Sequence, residues 1–210
     1  GIELTDRALE ICGLHTGSRI ADIGCGVGGT LGHLERKGYF RTLGLDHANA
    51  LLSRARSRLQ STRLVCGSGD STPFKENSFD ALFCECVLSL MDDARTAVGE
   101  FQRVVRPGGF LVISDIFLQG GPANGHSWKL GPNTLMPVEN LVTFLQDMDF
   151  SVLHREESGK LLREFVVRMI FAGRPVPDAW KSRPGKGVIE AGGSSISYFL
   201  LVARQKGPVN

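Results

Sequence analysis

The sequence predicts an α/β protein with a doubly wound, mostly parallel sheet of seven strands in one domain. Short apolar segments alternate with amphipathic segments of helical spacing along most of the chain. Such alternation produces right-handed crossovers and a parallel sheet that helices cover on both faces. A length of 210 residues with 42% hydrophobic and 22% charged residues suits one domain with a full core.

The first 114 residues of the chain contain five of the predicted strands. A helix over Asp6–Cys12 begins after the N-cap Thr5 and ends at Gly13. The strands lie at residues 19–23, 41–46, 63–67, 79–84 and 110–114. The helices between them lie at residues 30–37, 48–59 and 94–105, and a turn at residues 106–109 follows the last of these.

The second half continues in the same way. Helices are predicted at residues 138–148 and 161–171, with a strand at residues 150–155 between them. Residues 173–195 are rich in Gly, Pro and Ser and predict a loop. The last strand, residues 197–203, is apolar almost throughout, so we expect it inside the sheet. One domain, 1–210, therefore has an insertion at about residues 159–195, before its last strand.

Charge and composition exclude several classes of partner. The 24 basic and 22 acidic residues are scattered, which argues against nucleic acid binding. The longest apolar runs are far below the roughly 20 residues that span a bilayer, so no membrane partner is expected. No basic-then-apolar signal peptide opens the chain, and five cysteines form no secreted disulfide framework. A cytoplasmic location is the expectation.

Four glycines follow the first strand, at positions 24, 26, 28 and 29. Glycines between a strand and a helix let the backbone approach a ligand closely at the helix N-terminus. Gly24, Gly26 and Gly29 fit the dinucleotide pattern G-x-G-x-x-G, and Asp46 ends the next strand, where a ribose-binding acid belongs. This pattern permits a nicotinamide-dependent oxidoreductase.

Asp22 favours a different cofactor. A carboxylate two residues before the first glycine would repel a pyrophosphate but attract an ammonium group. A nucleoside with an amino-acid tail has the required charge, and S-adenosylmethionine is such a ligand.

Five segments in order resemble the class I S-adenosylmethionine-dependent methyltransferases. They are ADIGCGVGG (21–29), LGLDHANA (43–50), VCGSGDSTPF (65–74), NSFDALFCECVLSLMDD (77–93) and RVVRPGGFLVISD (103–115). The resemblance covers residues 18–118 in detail and the remainder by element order. It implies the Rossmann-like methyltransferase fold and S-adenosylmethionine as the cofactor.

The resemblance also implies roles for individual residues. Asp22 and the glycine turn, with Gly24, Cys25 and Gly26, would hold the methionine end of the cofactor. Asp46 would bind the ribose hydroxyls and His47 would lie against the adenine. Where relatives often read Gly-Asp at the end of the third strand, this chain has Gly67-Ser68-Gly69. Ser68 or Asp70 would then accept the hydrogen bond from the adenine amino group. Gly69, between them, would also lie at the cofactor.

Cys84, Glu85 and Cys86 end the fourth strand at the sheet edge where ligands bind, and Cys84 is assigned to the cofactor. Glu85 is a base, a substrate contact or a turn brace. Cys86 would pack beside the cofactor sulfur or would bind arsenic, because the segment CECVLSLMDD resembles the corresponding segment of arsenite methyltransferases. Those enzymes use a second cysteine further along the chain, and this sequence has no cysteine after position 86. Asp115 would face the same pocket, as would His126 and Trp128 in the next loop. No metal site is predicted.

Methyl transfer from a sulfonium is a direct displacement, so a base is required only for a protonated acceptor. A small-molecule acceptor is expected, because the chain has no basic stripe and no N-P-P-Y-like signature. The insertion would cover the substrate pocket or form a homodimer contact through Val166, Val167, Ile170 and Phe171. A nicotinamide-dependent oxidoreductase and a non-catalytic S-adenosylmethionine-binding protein remain the alternatives.

Overall fold

A computed structural model describes residues 2–119, 137–171, 189–191 and 194–207. The strands are β1 (Ile20–Ile23), β2 (Thr42–Asp46), β3 (Arg63–Cys66), β4 (Phe79–Glu85), β5 (Val105–Gln119), β6 (Phe150–Glu157), β7 (Ile189–Ala191) and β8 (Ser194–Gln205). The helices are α1 (Ile2–Cys12), α2 (Gly29–Arg36), α3 (Asn49–Arg56), α4 (Ala94–Val104), α5 (Val138–Asp147) and α6 (Gly159–Phe171). A single 3₁₀ turn at Leu88–Leu90 follows β4.

Seven strands form the main sheet in the order β3-β2-β1-β4-β5-β8-β6, and the short β7 pairs with β8. Each neighbouring pair from β3 to β5 is parallel, whereas β8 runs antiparallel to both β5 and β6. The predicted doubly wound, mostly parallel fold is thus confirmed, with the last strand inside the sheet. The strand order reverses between β1 and β4, which opens a crevice at their carboxyl ends.

Helices bury both faces of this sheet. On β4, Leu82 and Cys84 face the cluster that α4 and α5 complete, whereas Ala81 and Phe83 face the cluster of α1 and α6. This alternation follows from the two-residue period of a strand. It places the next residue, Glu85, on the side of α1.

Several predicted boundaries are wrong. Thr5 is not an N-cap but a buried residue within α1, which begins at Ile2. The predicted turn at residues 106–109 is part of β5, where a register shift opposite Phe79 and Ala81 accommodates it. Gly108, at φ 74°, supplies the left-handed conformation that this bulge requires. β5 also continues to Gln119, because β8 pairs with it beyond the end of β4.

The predicted loop at residues 173–195 is only partly described. Residues 189–191 and 194–195 are strand rather than loop, and residues 172–188 and 192–193 lie outside the described residues. On α6, Val167 is 47% exposed and Phe171 is 87% exposed, whereas the side chains of Val166 and Ile170 lie outside the described part. The insertion and the homodimer contact stay predictions.

Within the described ranges, none of the helices combines the length and the apolar character required to cross a membrane.

Candidate active site

The glycine turn follows β1 at the crevice between β1 and β4. Gly24, Gly26 and Gly28 have φ of 71°, 54° and 77°, in the left-handed region that favours glycine. The Gly24 N–H donates to the Leu45 carbonyl at 2.7 Å, which fixes the turn on β2. The turn therefore leads the chain directly into α2, with the helix N-terminus at the crevice.

Asp46 joins the end of β2 to the glycine turn. Its side chain is 6% exposed, and its Oδ2 accepts a hydrogen bond from the Gly26 N–H at 2.8 Å. Its Oδ1 accepts from the Ala48 N–H, also at 2.8 Å. The predicted ribose-binding acid thus also holds the glycine turn in place, a role that the sequence pattern did not reveal.

Asp22 is a buried carboxyl on β1, 3% exposed, that faces a cavity. Burial, followed by the nearby charges of Glu85 and Asp46, raises the pKa of Asp22 well above its usual range. Among the described residues, none donates a hydrogen bond to this carboxyl. An ammonium group from a ligand would supply the missing partner and favour the ionised acid.

Glu85, at the end of β4, connects two helices. Its Oε1 accepts a hydrogen bond from the Thr5 hydroxyl of α1 at 2.9 Å, and its Oε2 accepts from the Thr30 hydroxyl of α2 at 2.5 Å. Of the roles predicted for Glu85, these contacts favour the structural brace over the general base. The sequence has no signal for Thr5 or Thr30 as partners of Glu85, because both lie on other elements.

Cys86 has φ 59°, a strained conformation for a residue with a side chain. Its N–H donates to the Ser114 carbonyl at 2.7 Å, and its Sγ lies 2.9 Å from the Tyr198 hydroxyl. That hydroxyl is 3.2 Å from the Ser114 Oγ. The strained turn thus places a thiol, a phenol and a hydroxyl together, and sequence analysis missed both Ser114 and Tyr198.

Asp115 does not end β5, as predicted, but lies at the point where β5 leaves β4. Its carboxylate accepts hydrogen bonds from the Ser89 N–H at 2.9 Å, the Ser89 hydroxyl at 3.0 Å and the Ile116 N–H at 2.8 Å. Burial raises the pKa of Asp115 despite these hydrogen bonds. Its contacts are those of a group that positions the 3₁₀ turn after β4.

Two cavities of about 390 and 690 Å³ meet at the crevice. The first cavity is lined by the polar residues Asp22, Thr30, Glu85, Cys86, Ser114, Asp115 and Tyr198, by the turn residues Gly24 and Cys25, and by the apolar residues Leu90, Ile116, Leu161 and Leu162. The second is lined by Gly26, Leu45, Asp46, His47, Ser68, Gly69, Asp70, Val87 and Met91, among others. Gly24, Glu85, Cys86 and Leu90 line both cavities.

The predicted adenine-side residues lie together in the second cavity. Ser68 and Asp70 both line it, so both alternatives for the adenine amino group remain available. His47 lines it with a side chain that is 89% exposed. Gly69 permits close packing, because a Cβ there would lie 2.7 Å from Met91 Cε.

Some predicted residues are not brought to the site. Cys84 is buried in the core between β4 and α4 and lines neither cavity, because strand alternation turns it away from Glu85. His126 and Trp128 lie outside the described residues. In the ranges that the structure describes, no group of three His, Cys, Asp or Glu side chains could hold a metal ion.

The Cys86 thiol is expected to react slowly with alkylating reagents at pH 8. Cys86 is solvent-exposed, yet desolvation by the groups packed around its thiol raises its pKa to about 11, whereas a free cysteine has a pKa of about 8.5. The thiolate fraction, and with it the rate of iodoacetamide labelling, should be lower than that of a free cysteine by roughly a few hundredfold. Peptide mass spectrometry measures this rate; labelling as fast as a free cysteine at pH 8 would show that Cys86 is an activated thiolate.

Comparisons with known proteins agree with this geometry. Residues 21–113 match a family model described as "Methyltransferase domain". A malonyl-[acyl-carrier protein] O-methyltransferase of Yersinia pestis is 28% identical over 149 residues, which are 69% of this chain and 55% of that protein. Phosphoethanolamine N-methyltransferase 2 of Haemonchus contortus, solved with S-adenosyl-L-methionine, has a TM-score of 0.76 at 18% identity, with 99% of this chain and 53% of that chain covered. The [4+2]-cyclase SpnF has a TM-score of 0.75 at 21% identity, and the superposition covers 97% of this chain and 81% of the SpnF chain.

The match of residues 21–113 to the methyltransferase domain agrees with the resemblance to the class I S-adenosylmethionine-dependent methyltransferases that the sequence implies. This similarity supports S-adenosylmethionine as the cofactor, in preference to a nicotinamide dinucleotide. The chain spans about half the length of the sequence relatives it matches. The comparisons do not show the local similarity to arsenite methyltransferases.

Proposed function

We propose that this protein transfers a methyl group from S-adenosylmethionine to a small, mostly apolar acceptor bound in the first cavity. The observation that carries the proposal is the pair of cavities that meet at Gly24 and Glu85. One cavity offers a nucleoside site beside Asp46, and the other offers an acidic site beside Asp22 with an apolar extension.

The residues present fit the cofactor. The buried Asp22 carboxyl, without a donor among the described residues, suits the cofactor's ammonium group. Asp46 and His47 would hold its ribose and adenine in the second cavity. When bound, S-adenosylmethionine supplies a methyl group whose bonding electron pair stays on the sulfur.

The acceptor end of the first cavity is apolar with one polar corner. Its apolar wall consists of Leu90, Ile116, Leu161 and Leu162. Cys86 and Tyr198 lie at its polar corner. Among the described lining residues of this cavity, no lysine, arginine or histidine is present. A neutral acceptor with an apolar body therefore suits the cavity better than a phosphate or a carboxylate.

These side chains align the acceptor and exclude water rather than remove a proton. Both oxygens of Glu85 and of Asp115 accept hydrogen bonds from the protein. The buried Tyr198 phenol has a raised pKa and stays neutral, as does the Cys86 thiol at physiological pH. Alignment in a dry cavity can supply much of the catalysis of a direct displacement.

Two measurements test the proposal. The first is thermal unfolding in the presence of S-adenosylmethionine, S-adenosylhomocysteine or reduced nicotinamide cofactor. A ligand at a hundred times its Kd raises the free energy of unfolding by about 2.7 kcal/mol. Methyl release from radiolabelled S-adenosylmethionine is then measured with matched pairs of neutral phenols or thiols and aromatic carboxylates. We expect stabilisation by the two adenosyl ligands alone and transfer to neutral acceptors.

Stabilisation by the nicotinamide cofactor alone would support the oxidoreductase alternative instead. Binding of the adenosyl ligands without transfer to any acceptor would support a non-catalytic S-adenosylmethionine-binding protein. Transfer to the carboxylates in preference to the neutral compounds would contradict the proposed acceptor class.

A further inference from the structure

Glu85 is the charged side chain at the junction of the two cavities, since it lines both. We propose that its carboxylate is the counter-charge of the cofactor's sulfonium, and that it makes the site select the charged cofactor over the neutral product S-adenosylhomocysteine. This inference rests on the proposed placement of the cofactor in the two cavities. It adds a function for Glu85 beyond the brace between α1 and α2.

The chemistry of the cofactor fixes where its sulfur must lie. The sulfur joins the nucleoside half to the amino-acid half. If the nucleoside occupies the second cavity beside Asp46 and the amino acid occupies the first beside Asp22, the sulfur passes through the junction. The residues shared by both cavities there are Gly24, Glu85, Cys86 and Leu90, of which only Glu85 carries a charge.

The charge balance of the crevice points the same way. The charges of Glu85 and Asp46 act on the buried Asp22, so both carboxyls lie within electrostatic reach of Asp22. Among the described residues lining the two cavities, the one basic side chain is His47, which is 89% exposed. A cationic ligand therefore suits this acidic crevice: its ammonium group suits Asp22, and its sulfonium suits Glu85.

The contacts of Glu85 fix the position of its carboxylate. Thr5 and Thr30 donate neutral hydroxyl hydrogen bonds at 2.9 and 2.5 Å, which orient the carboxylate without neutralising it. Methyl transfer removes the positive charge from the sulfur. The attraction therefore acts on the cofactor and is absent for the product, which favours product release.

The difference between two ligands isolates this interaction. S-adenosylmethionine and S-adenosylhomocysteine share the adenosine and the ammonium group and differ in the methyl group and its charge. An opposite charge within about 4–6 Å favours the charged form of a group by about tenfold or more, and we expect a similar factor in the affinity for a charged ligand. We expect the wild-type protein to bind S-adenosylmethionine at least about tenfold more tightly than the product.

Isothermal titration calorimetry of both ligands with the wild-type protein and Glu85→Gln tests the proposal. We expect Glu85→Gln to weaken S-adenosylmethionine binding by about tenfold while the Kd of S-adenosylhomocysteine changes less than about twofold. Sinefungin, which carries an ammonium group in place of the methylated sulfonium, should behave as S-adenosylmethionine does. The exposed Glu76, outside both cavities, provides the matched control Glu76→Gln, which should change neither Kd.

The ratio of the two Kd values separates electrostatics from a structural effect. A Glu85→Gln variant that only loosens the brace would weaken both ligands by the same factor, and that result would overturn the proposal. Asp22→Asn provides the contrast, because it should weaken both ligands alike. If Glu85→Gln does not fold, the wild-type ratio of the two Kd values decides: a product that binds as tightly as S-adenosylmethionine contradicts the charge interaction. Absence of binding by either ligand would instead refute the proposed function.

Discussion

Replacing Asp46 with alanine is expected to weaken the binding of S-adenosylmethionine and S-adenosylhomocysteine by about a hundredfold or more. The Asp46 carboxylate accepts hydrogen bonds from the Gly26 and Ala48 N–H groups at 2.8 Å each. Hydrogen bonds to a charged group contribute about 1.5–3 kcal/mol each, so the loss of two bonds proposed to the ribose hydroxyls exceeds the roughly 2.7 kcal/mol that corresponds to about a hundredfold in affinity. The substitution also removes the contact that holds the glycine turn in place.

Calorimetric titration of both ligands measures the effect of Asp46→Ala. Asp46→Asn should lose less affinity, because its amide oxygen can still accept from one of the two N–H groups. Asp147→Ala, at an exposed position on α5, provides the matched control and should leave both Kd values unchanged. A Kd for Asp46→Ala equal to that of the wild type would contradict the assignment of the second cavity to the nucleoside.

Replacing Gly24 with alanine is expected to destabilise the protein and abolish cofactor binding. A Cβ at this position would lie 2.3 Å from Val87 Cγ2 and 2.6 Å from Val87 Cγ1, and φ is 71°. The stiff valine cannot rotate away easily, so overpacking adds about 1–3 kcal/mol to a left-handed backbone cost of about 1–2 kcal/mol. The melting temperature should fall by roughly 5–15 °C, and the turn should no longer admit the ligand.

Thermal melts and titrations with S-adenosylhomocysteine check this expectation. Gly32→Ala, within α2, provides the control: its Cβ would make an ordinary contact of 3.5 Å with Leu59, and alanine is the better helix former. Adding Val87→Ala to Gly24→Ala should recover part of the stability by removing the steric term but not the backbone term. Wild-type stability and affinity in Gly24→Ala would show that the turn rearranges freely.

The features that the sequence predicted well are those with a local signal. Apolar strands between amphipathic helices predicted the element order, and the glycines of the turn have the positive φ values that their spacing indicates. Asp22 and Asp46 lie at the crevice because the carboxyl ends of parallel strands meet at one edge. The register of each strand was less predictable: alternation turned Cys84 into the core and brought Glu85 to the site.

The sequence could not predict the groups that surround Glu85, Cys86 and Asp115. Thr5 and Tyr198 reach the site from elements far apart along the chain, and neither belongs to a recognisable motif. The extension of β5 was missed for a similar reason, because its added residues pair with β8 rather than with the preceding strand β4. Such contacts arise only when long-range packing brings the elements together.

By itself, the sequence of this protein determined the order of its strands and helices, the position of the glycine turn and the class of cofactor. The first two follow from residue spacing within a short segment, where backbone geometry and hydrophobic periodicity act directly. The class of cofactor follows from the charge of Asp22 and from the resemblance of five segments to a known family. Only the tertiary structure decided that Glu85 is held by two threonine hydroxyls at the junction of two cavities, and that Asp115 positions a turn. The physical reason is that hydrogen-bond partners and neighbouring charges are properties of packed surfaces, and these depend on distances between residues that are remote in the chain.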